Sequence, residues 1–84
     1  MNEQTLHDEL KAIIAEIIEV DDFADDANFV GELGVDSMLA LEIVARIERR
    51  YRVRIPEERF GDMQTLTAAL GIVSEVIQQQ TVNS

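Results

Sequence analysis

The sequence predicts an all-α fold, a four-helix bundle with three longer helices and one short third helix. Two observations lead to this prediction. Apolar residues recur at helical spacing in three separate segments, and residues suited to helix caps stand before the second and last of them. The chain has 84 residues, of which 46% are hydrophobic, a globular composition that supports one core.

The first helix is predicted over about residues 5–19, with Thr5 or an adjacent polar residue as its cap. Its apolar side chains share one arc of the helix: Leu6, Leu10, Ile13, Ile14, Ile17 and Ile18. Residues 21–28 are too rich in Asp and Asn for a helix interior, so we expect a long loop. Phe29 and Leu33 should pin that loop to the core.

The second helix should run from Asp36 and Ser37 to about Tyr51, with Asp36 as its N-cap. Its inward arc is predicted to comprise Ala40, Ile43, Val44, Ile47 and Tyr51.

Residues 53–55 should be extended because they precede Pro56, which suits the first turn of a short helix ending at Gly61. Thr65 can cap a last helix that runs to about Gln79. We expect one domain over residues 1–84, ordered from about 4 to 79, with residues 80–84 as a frayed tail.

The charge of the chain is strongly asymmetric. Its formal net charge is −10, and residues 1–36 hold eleven acids against one base, whereas all six arginines lie in residues 46–59. A surface this acidic repels phosphate backbones, so nucleic-acid binding is not expected. Without cysteine, a signal-peptide pattern or an apolar run of about 20 residues, we expect a cytoplasmic monomer that does not enter membranes.

No catalytic or metal-binding constellation is visible. The single histidine, His7, is expected to be a surface residue far from Ser37 in sequence, and no Gly-x-Ser-x-Gly elbow surrounds that serine. An EF-hand loop beginning at Asp21 would place Phe23 third and Asp26 sixth, where a ligand and a glycine are needed. We therefore expect neither an enzyme nor a metal site.

Two motifs carry a family resemblance. Residues 33–38 read Leu-Gly-Val-Asp-Ser-Met, and residues 55–58, which begin nineteen positions after Asp36, read Ile-Pro-Glu-Glu. Together with the length and acidity, they make nearly the whole chain resemble the acyl carrier protein family. The resemblance implies a 4′-phosphopantetheine arm, derived from coenzyme A, on Ser37, and an arm thiol that holds acyl groups as thioesters. It also implies that Asp36 helps the phosphopantetheinyl transferase hold magnesium, and that further partners load and process the acyl group (synthase, ligase or acyltransferase).

Elementary physics agrees with that placement. A phosphodiester on Ser37 would meet the unpaired N–H groups and the positive dipole end of the second helix. A serine without a local base cannot attack unaided, so a separate transferase is required.

The second helix departs from the strongly acidic pattern of fatty-acid carriers. It retains Glu42 and Glu48, but it also carries three arginines, Arg46, Arg49 and Arg50. Met38 replaces the usual leucine, and Leu39, which falls between Arg46 and Arg50 on the helix, is expected to be exposed. The predicted partner surface comprises Met38, Leu39, Glu42, Arg46, Glu48 and Arg49. This surface favours polyketide-type or other specialised acyl synthesis. The alternatives are a fatty-acid carrier and, in a different class, an unmodified helical protein-interaction module.

Overall fold

The computed structural model describes residues 2–82, which form three α-helices and one short 3₁₀ helix. Helix α1 spans Glu3–Ile18, α2 spans Ser37–Tyr51, the 3₁₀ helix spans Glu57–Asp62 and α3 spans Leu66–Val82. The predicted all-α architecture, with three longer helices and one short third helix, is confirmed. In this part of the chain, none of the helices combines the length and apolar character that crossing a membrane requires.

The helix ends follow from local capping chemistry. Asn2 accepts a hydrogen bond from the Thr5 N–H, so α1 begins two residues before its predicted start. Thr65 accepts from the Ala68 N–H at 3.1 Å, which confirms it as the cap of α3. Helix α3 continues to Val82, past its predicted end at about Gln79, and residues 83–84 of the predicted tail lie outside the described residues.

Helix α1 is the centre of the packing. It packs extensively against both α2 and α3, whereas α2 and α3 make no comparable contact with each other among residues 2–82. Leu10, Ile14, Ile47, Leu66 and Val73 are the largest fully buried side chains at this junction. A bundle held together through one helix leaves space between the other two.

Polar contacts join α1 to the far end of α2. The Tyr51 hydroxyl donates to Glu9 Oε1 at 2.8 Å, and Arg50 pairs with Glu9 at 3.4 Å. Burial, reinforced by the Glu9 carboxylate, raises the pKa of Tyr51 to about 12, which keeps the hydroxyl a donor at neutral pH.

The long loop contributes more to the core than its composition suggested. Phe29 is buried and the half-buried Leu33 packs against the core, both as expected, and Phe23, Ala27 and Val35 are buried as well. Phe23 and Phe29 meet edge to face with ring centroids 6.2 Å apart. Apolar residues spaced along the loop therefore fasten it to the bundle.

A charged clasp ties the same loop to α1. His7 Nε2 lies 2.8 Å from Asp25 Oδ2, and His7 Nδ1 lies 2.9 Å from Asp8 Oδ1. Lys11 pairs with Asp22 at 3.1 Å and with Asp25 at 3.3 Å. His7 is thus a half-buried bridging residue rather than the free surface residue expected from the sequence.

The clasp predicts a pH-dependent stability. Both His7 contacts are hydrogen bonds only when the ring carries two protons, and the bonds to Asp8 and then Asp25 raise the pKa of His7. Because the pKa of His7 is higher in the folded chain than in the unfolded chain, protonation of His7 stabilises the fold. This stabilisation is fully present below the unfolded-state pKa of about 6.5 and is lost as pH rises through the folded-state pKa. Between pH 5.5 and 9 the clasp should account for a fall in Tm of about 2–4 °C in the native chain.

Thermal melts across that pH range, compared with His7→Gln, isolate the effect because His7 is the only histidine. In His7→Gln, the part of the fall in Tm that the clasp causes should be absent. Identical pH profiles of the two proteins would contradict the clasp.

Candidate functional site

Ser37 is the first residue of α2, and its side chain is exposed. Asp36, immediately before it, has an extended backbone and accepts the Leu39 N–H on Oδ1 at 2.8 Å, which confirms the predicted N-cap. The cap satisfies the third N–H of the helix, whereas those of Ser37 and Met38 have no partner within the helix. The serine hydroxyl therefore stands beside available backbone donors.

A hydrogen-bonded turn fixes this helix start in space. Asn28 accepts the Gly31 N–H on its side chain, and its carbonyl accepts the Glu32 N–H, each at 2.8 Å. The Val35 N–H donates to the Phe29 carbonyl, and the Phe29 N–H donates to the Gln64 carbonyl before α3, both at 2.8 Å. The turn closes at Gly34, whose φ of 68° is a conformation that glycine adopts without strain.

Within the part of the chain that the structure describes, Ser37 has no activating base. Among the described residues, no side chain forms a hydrogen bond with its hydroxyl, and His7 uses both ring nitrogens on Asp8 and Asp25. No group of three or more His, Asp or Glu side chains within residues 2–82 is arranged to hold a metal ion. A serine hydroxyl in these surroundings lacks the base that self-activation requires, so its covalent modification would need a separate enzyme.

The start of α2 suits a phosphodiester. The first-turn N–H groups and the helix dipole favour an anion at this end. The second oxygen of Asp36, Oδ2, makes no hydrogen bond among the described residues, so it is available to a cation brought by a partner. No buried side chain would have to move, because Ser37 and Asp36 are both exposed.

An apolar groove opens next to Ser37. It has a volume of about 620 Å³, within the range of small-molecule sites, and lies between α2, the turn before it, the 3₁₀ helix and the start of α3. Its apolar lining comes from Phe29, Val30, Val35, Ala40, Leu41, Ile43, Val44, Phe60, Met63 and Ala69. Ser37 lies at the edge of this groove, so a flexible group attached there could enter it.

The groove explains one departure from the predicted core. Ala40 was placed on the inward arc of α2, yet it is exposed, because it lines the groove instead of meeting another helix. Ile43, Val44 and Ile47 of the same arc are buried as predicted.

Exposed apolar side chains surround Ser37. Met38 is 79% exposed, Val30 is 70% exposed and Leu41 is 57% exposed. Leu41 follows Ser37 by one helical turn, so both lie on the same face of α2. We call Val30, Met38 and Leu41 the apolar rim.

The expectation that Leu39 is exposed was wrong. Leu39 is half-buried and packs against the core. Its neighbours on the helix, Arg46 and Arg50, were taken to mark the solvent side, but they pair with Glu16 and Glu9 of α1. That side of α2 therefore faces α1, and Leu39, which lies on the same side, packs against the core.

Two of the charged residues assigned to the partner surface have internal roles. Arg46 lies 3.3 Å from Glu16 on α1. The half-buried carboxylate of Glu48 accepts the Ile55 N–H at 2.8 Å and so fastens residues 53–55 to the end of α2. Glu42 and Arg49 are exposed, as a partner surface requires.

The partner surface predicted from the sequence did not include Val30 and Leu41, the two other residues of the apolar rim. Leu41 could have been found from its four-residue spacing after Ser37, which places both on one helix face. Val30 carried no such signal, because its exposure depends on how the Asn28 turn folds.

Comparisons with known proteins identify the family of the chain. The family described as "Phosphopantetheine attachment site" matches residues 8–73. An acyl carrier protein of Guillardia theta is 33% identical over 79 residues, covering 92% of this chain and 98% of that protein. The polyketide-8 synthase acyl carrier protein 2 of Streptomyces avermitilis is 36% identical over 73 residues, covering 76% and 84%.

Solved structures show the same fold. The type-II acyl carrier protein BlmI of Streptomyces verticillus, involved in bleomycin biosynthesis, superposes with a TM-score of 0.74 at 22% identity, covering 93% of this chain and 89% of that one. The solution structure of the oxytetracycline acyl carrier protein gives a TM-score of 0.72 at 26% identity, covering 95% and 88%. By family match, sequence identity and fold, the chain belongs to the acyl carrier proteins, which hold a covalent 4′-phosphopantetheine group and serve other enzymes as carriers without catalysing reactions themselves.

Proposed function

We propose that Ser37 is the attachment residue and that the chain carries acyl groups for polyketide-type or other specialised acyl synthesis. The observation that carries the proposal is the exposed Ser37 hydroxyl at the start of α2, beside an apolar groove. The bound arm supplies a thiol, to which acyl groups are linked as thioesters. The chain supplies backbone donors for the phosphodiester, the Asp36 carboxylate and a surface that partners recognise.

Modification of Ser37 is tested by intact mass. Incubation with coenzyme A, magnesium and a broad-specificity phosphopantetheinyl transferase should add one phosphopantetheinyl group to the native chain and none to Ser37→Ala. Ser74→Ala is the matched control, since Ser74 is a second serine, half-buried on α3, and should leave the addition intact. Mass addition to Ser37→Ala, or its loss in Ser74→Ala only, would contradict the assignment.

The specialised pathway is supported by the charge of α2 and by two comparisons. Arginines interrupt the acidic side chains of the helix, and one relative is named a polyketide synthase carrier. The oxytetracycline carrier shares the fold. Offering the modified chain to fatty-acid and to polyketide ketosynthases separates the two pathways: faster elongation by the fatty-acid enzyme would overturn this part of the proposal.

The apolar rim predicts the effect of Leu41→Asp. Leu41 is largely exposed, so the variant should keep its Tm, with the free energy of unfolding changed by no more than about 0.5 kcal/mol. An enzyme that docks at Ser37 must desolvate this side chain, and a carboxylate there should lower kcat/KM for modification or loading about tenfold.

Leu39→Asp provides the contrast, because the same substitution at a half-buried position should lower the Tm. Unchanged kinetics in Leu41→Asp would show that the apolar rim is not a docking surface.

A further inference from the structure

The basic side chains fall into two groups. Four of the seven pair with carboxylates within the chain: Lys11 with Asp22 and Asp25, Arg46 with Glu16, Arg50 with Glu9, and Arg59 with Asp62 and Glu75. The side chains of Arg49, Arg52 and Arg54 form no ion pair with any residue in the described part of the chain. All three are exposed.

The three unpaired residues, which we call the arginine patch, lie together. They border one shallow depression at the C-terminal end of α2, with Ala45, Glu48 and Val53 between them. Glu48 neutralises the patch only in part, because one carboxylate faces three guanidinium groups and leaves a formal net charge of +2 (three positive charges less one negative). In a chain of net charge −10, this is a local surface that stays net positive.

The backbone conformation of Arg52 allows the effect of losing its charge to be distinguished from a loss of stability. Arg52 ends α2 in a left-handed conformation, with φ 56° and ψ 49°, where glycine is the usual residue. Glu19 ends α1 in the same conformation, so the backbone alone does not assign a role to Arg52. Glycine at position 52 would remove the guanidinium and relax the backbone together.

We propose that the arginine patch is a docking point for an acidic protein surface, carried by an enzyme that acts on the arm. This inference rests on the proposed role of Ser37. Helix α2 has 15 residues, so about 22 Å separates its two ends along the axis. An interface of about 800 Å² per partner is about 30 Å across, so one enzyme can reach Ser37 and the patch together.

Charge complementarity selects the chemistry of this partner. The acidic first 36 residues repel an acidic surface. Among the described residues, the unpaired arginines of the patch attract it most strongly, which sets its orientation as well as its approach. A nucleic acid fits poorly, because its continuous phosphates extend beyond three arginines into the acidic surface.

The first experiment measures binding and does not depend on the arm. The ¹⁵N-labelled, unmodified chain is titrated with an octaglutamate peptide at low ionic strength, and amide and Arg Nε shifts are followed by NMR. Shifts should centre on residues 49–54 and disappear in the patch variant, Arg49→Gln with Arg52→Gln and Arg54→Gln. The control, Arg46→Gln with Arg50→Gln and Arg59→Gln, has the same net charge and should retain them.

Equal loss of the shifts in the control, or shifts centred elsewhere, would overturn the proposal. Larger shifts with an octameric uridine RNA would overturn it as well, in favour of nucleic acid. Since this measurement needs no modified serine, it stands even if Ser37 is not the attachment residue.

The second experiment uses the modified chain and two ketosynthases, one with an acidic and one with a basic surface beside its active-site entrance. The patch variant should lower kcat/KM about tenfold with the acidic enzyme only, and the loss should shrink between 50 and 500 mM salt. Arg52→Gly should lower that kcat/KM in part while its Tm stays equal or rises. Equal losses with both enzymes, or a loss that follows a lower Tm, would refute docking at the patch.

Discussion

Replacing Leu10 with alanine is expected to lower the free energy of unfolding by about 2–5 kcal/mol. Leu10 is fully buried on α1, the helix that packs against both α2 and α3, so the cavity would open where the bundle is joined. A domain of this size has a total stability of about 4–13 kcal/mol, so the loss is a large share of it. Urea unfolding followed by circular dichroism measures the change directly.

Leu41→Ala is the matched control, since it removes the same atoms from a helical leucine that is 57% exposed. Its free energy of unfolding should stay within about 0.5 kcal/mol of the native value. If the two variants lose equal stability, the packing of α1 as described is wrong.

The contrast between these leucines shows what could be predicted from the sequence. Helical periodicity correctly predicted that Leu10 is buried, because it lies in the apolar arc of its helix and a single small domain has one core for that arc to face. The caps at Asp36 and Thr65 were equally predictable, because side-chain acceptors at helix starts act within three residues.

Leu39 and Leu41 could not be assigned in the same way. A helical projection gives the angle between residues, but not the direction of the neighbouring helix. Arg46 and Arg50 appeared to mark solvent, and only their pairing with Glu16 and Glu9 shows that α1 lies there. Arginine is ambiguous in this respect, because its long apolar stem can cover a helix interface while its charge reaches a partner at the edge.

The same limit applies to the arginines as a group. All six looked equivalent as a basic stretch in residues 46–59, yet Arg46, Arg50 and Arg59 are paired within the chain. For Arg46 and Arg50, pairing depends on tertiary contacts with Glu16 and Glu9, which precede them by 30 and 41 positions in the chain. Local sequence around α2 does not contain that information.

The groove likewise arises from packing rather than from any one segment. It forms because α1 holds α2 and α3 without close packing between them, and the Asn28 turn and the 3₁₀ helix close its sides. No motif in residues 33–38 indicates it, although Ser37 lies at its edge.

Loading an octanoyl group on the arm should therefore stabilise the chain strongly. Burying about five methylenes in the groove would contribute up to about 4 kcal/mol, and ordering the chain offsets part of this. Because the group is buried only in the folded state, the Tm should rise by about 8 °C or more over the form carrying the unloaded arm. Calorimetry of the two forms measures this difference.

Ala40→Phe tests whether the groove is the place of burial. Ala40 is exposed and lines the groove, so a phenyl ring can occupy that space without displacing the buried core, and the octanoyl-dependent rise in Tm should fall below about 2 °C. Ala45→Phe is the matched control, because Ala45 is an exposed alanine of the same helix that does not line the groove, and its rise should stay complete. A full rise in Ala40→Phe would show that the acyl chain lies elsewhere on the protein. A lost rise in Ala45→Phe alone would move the site of burial toward the far end of α2.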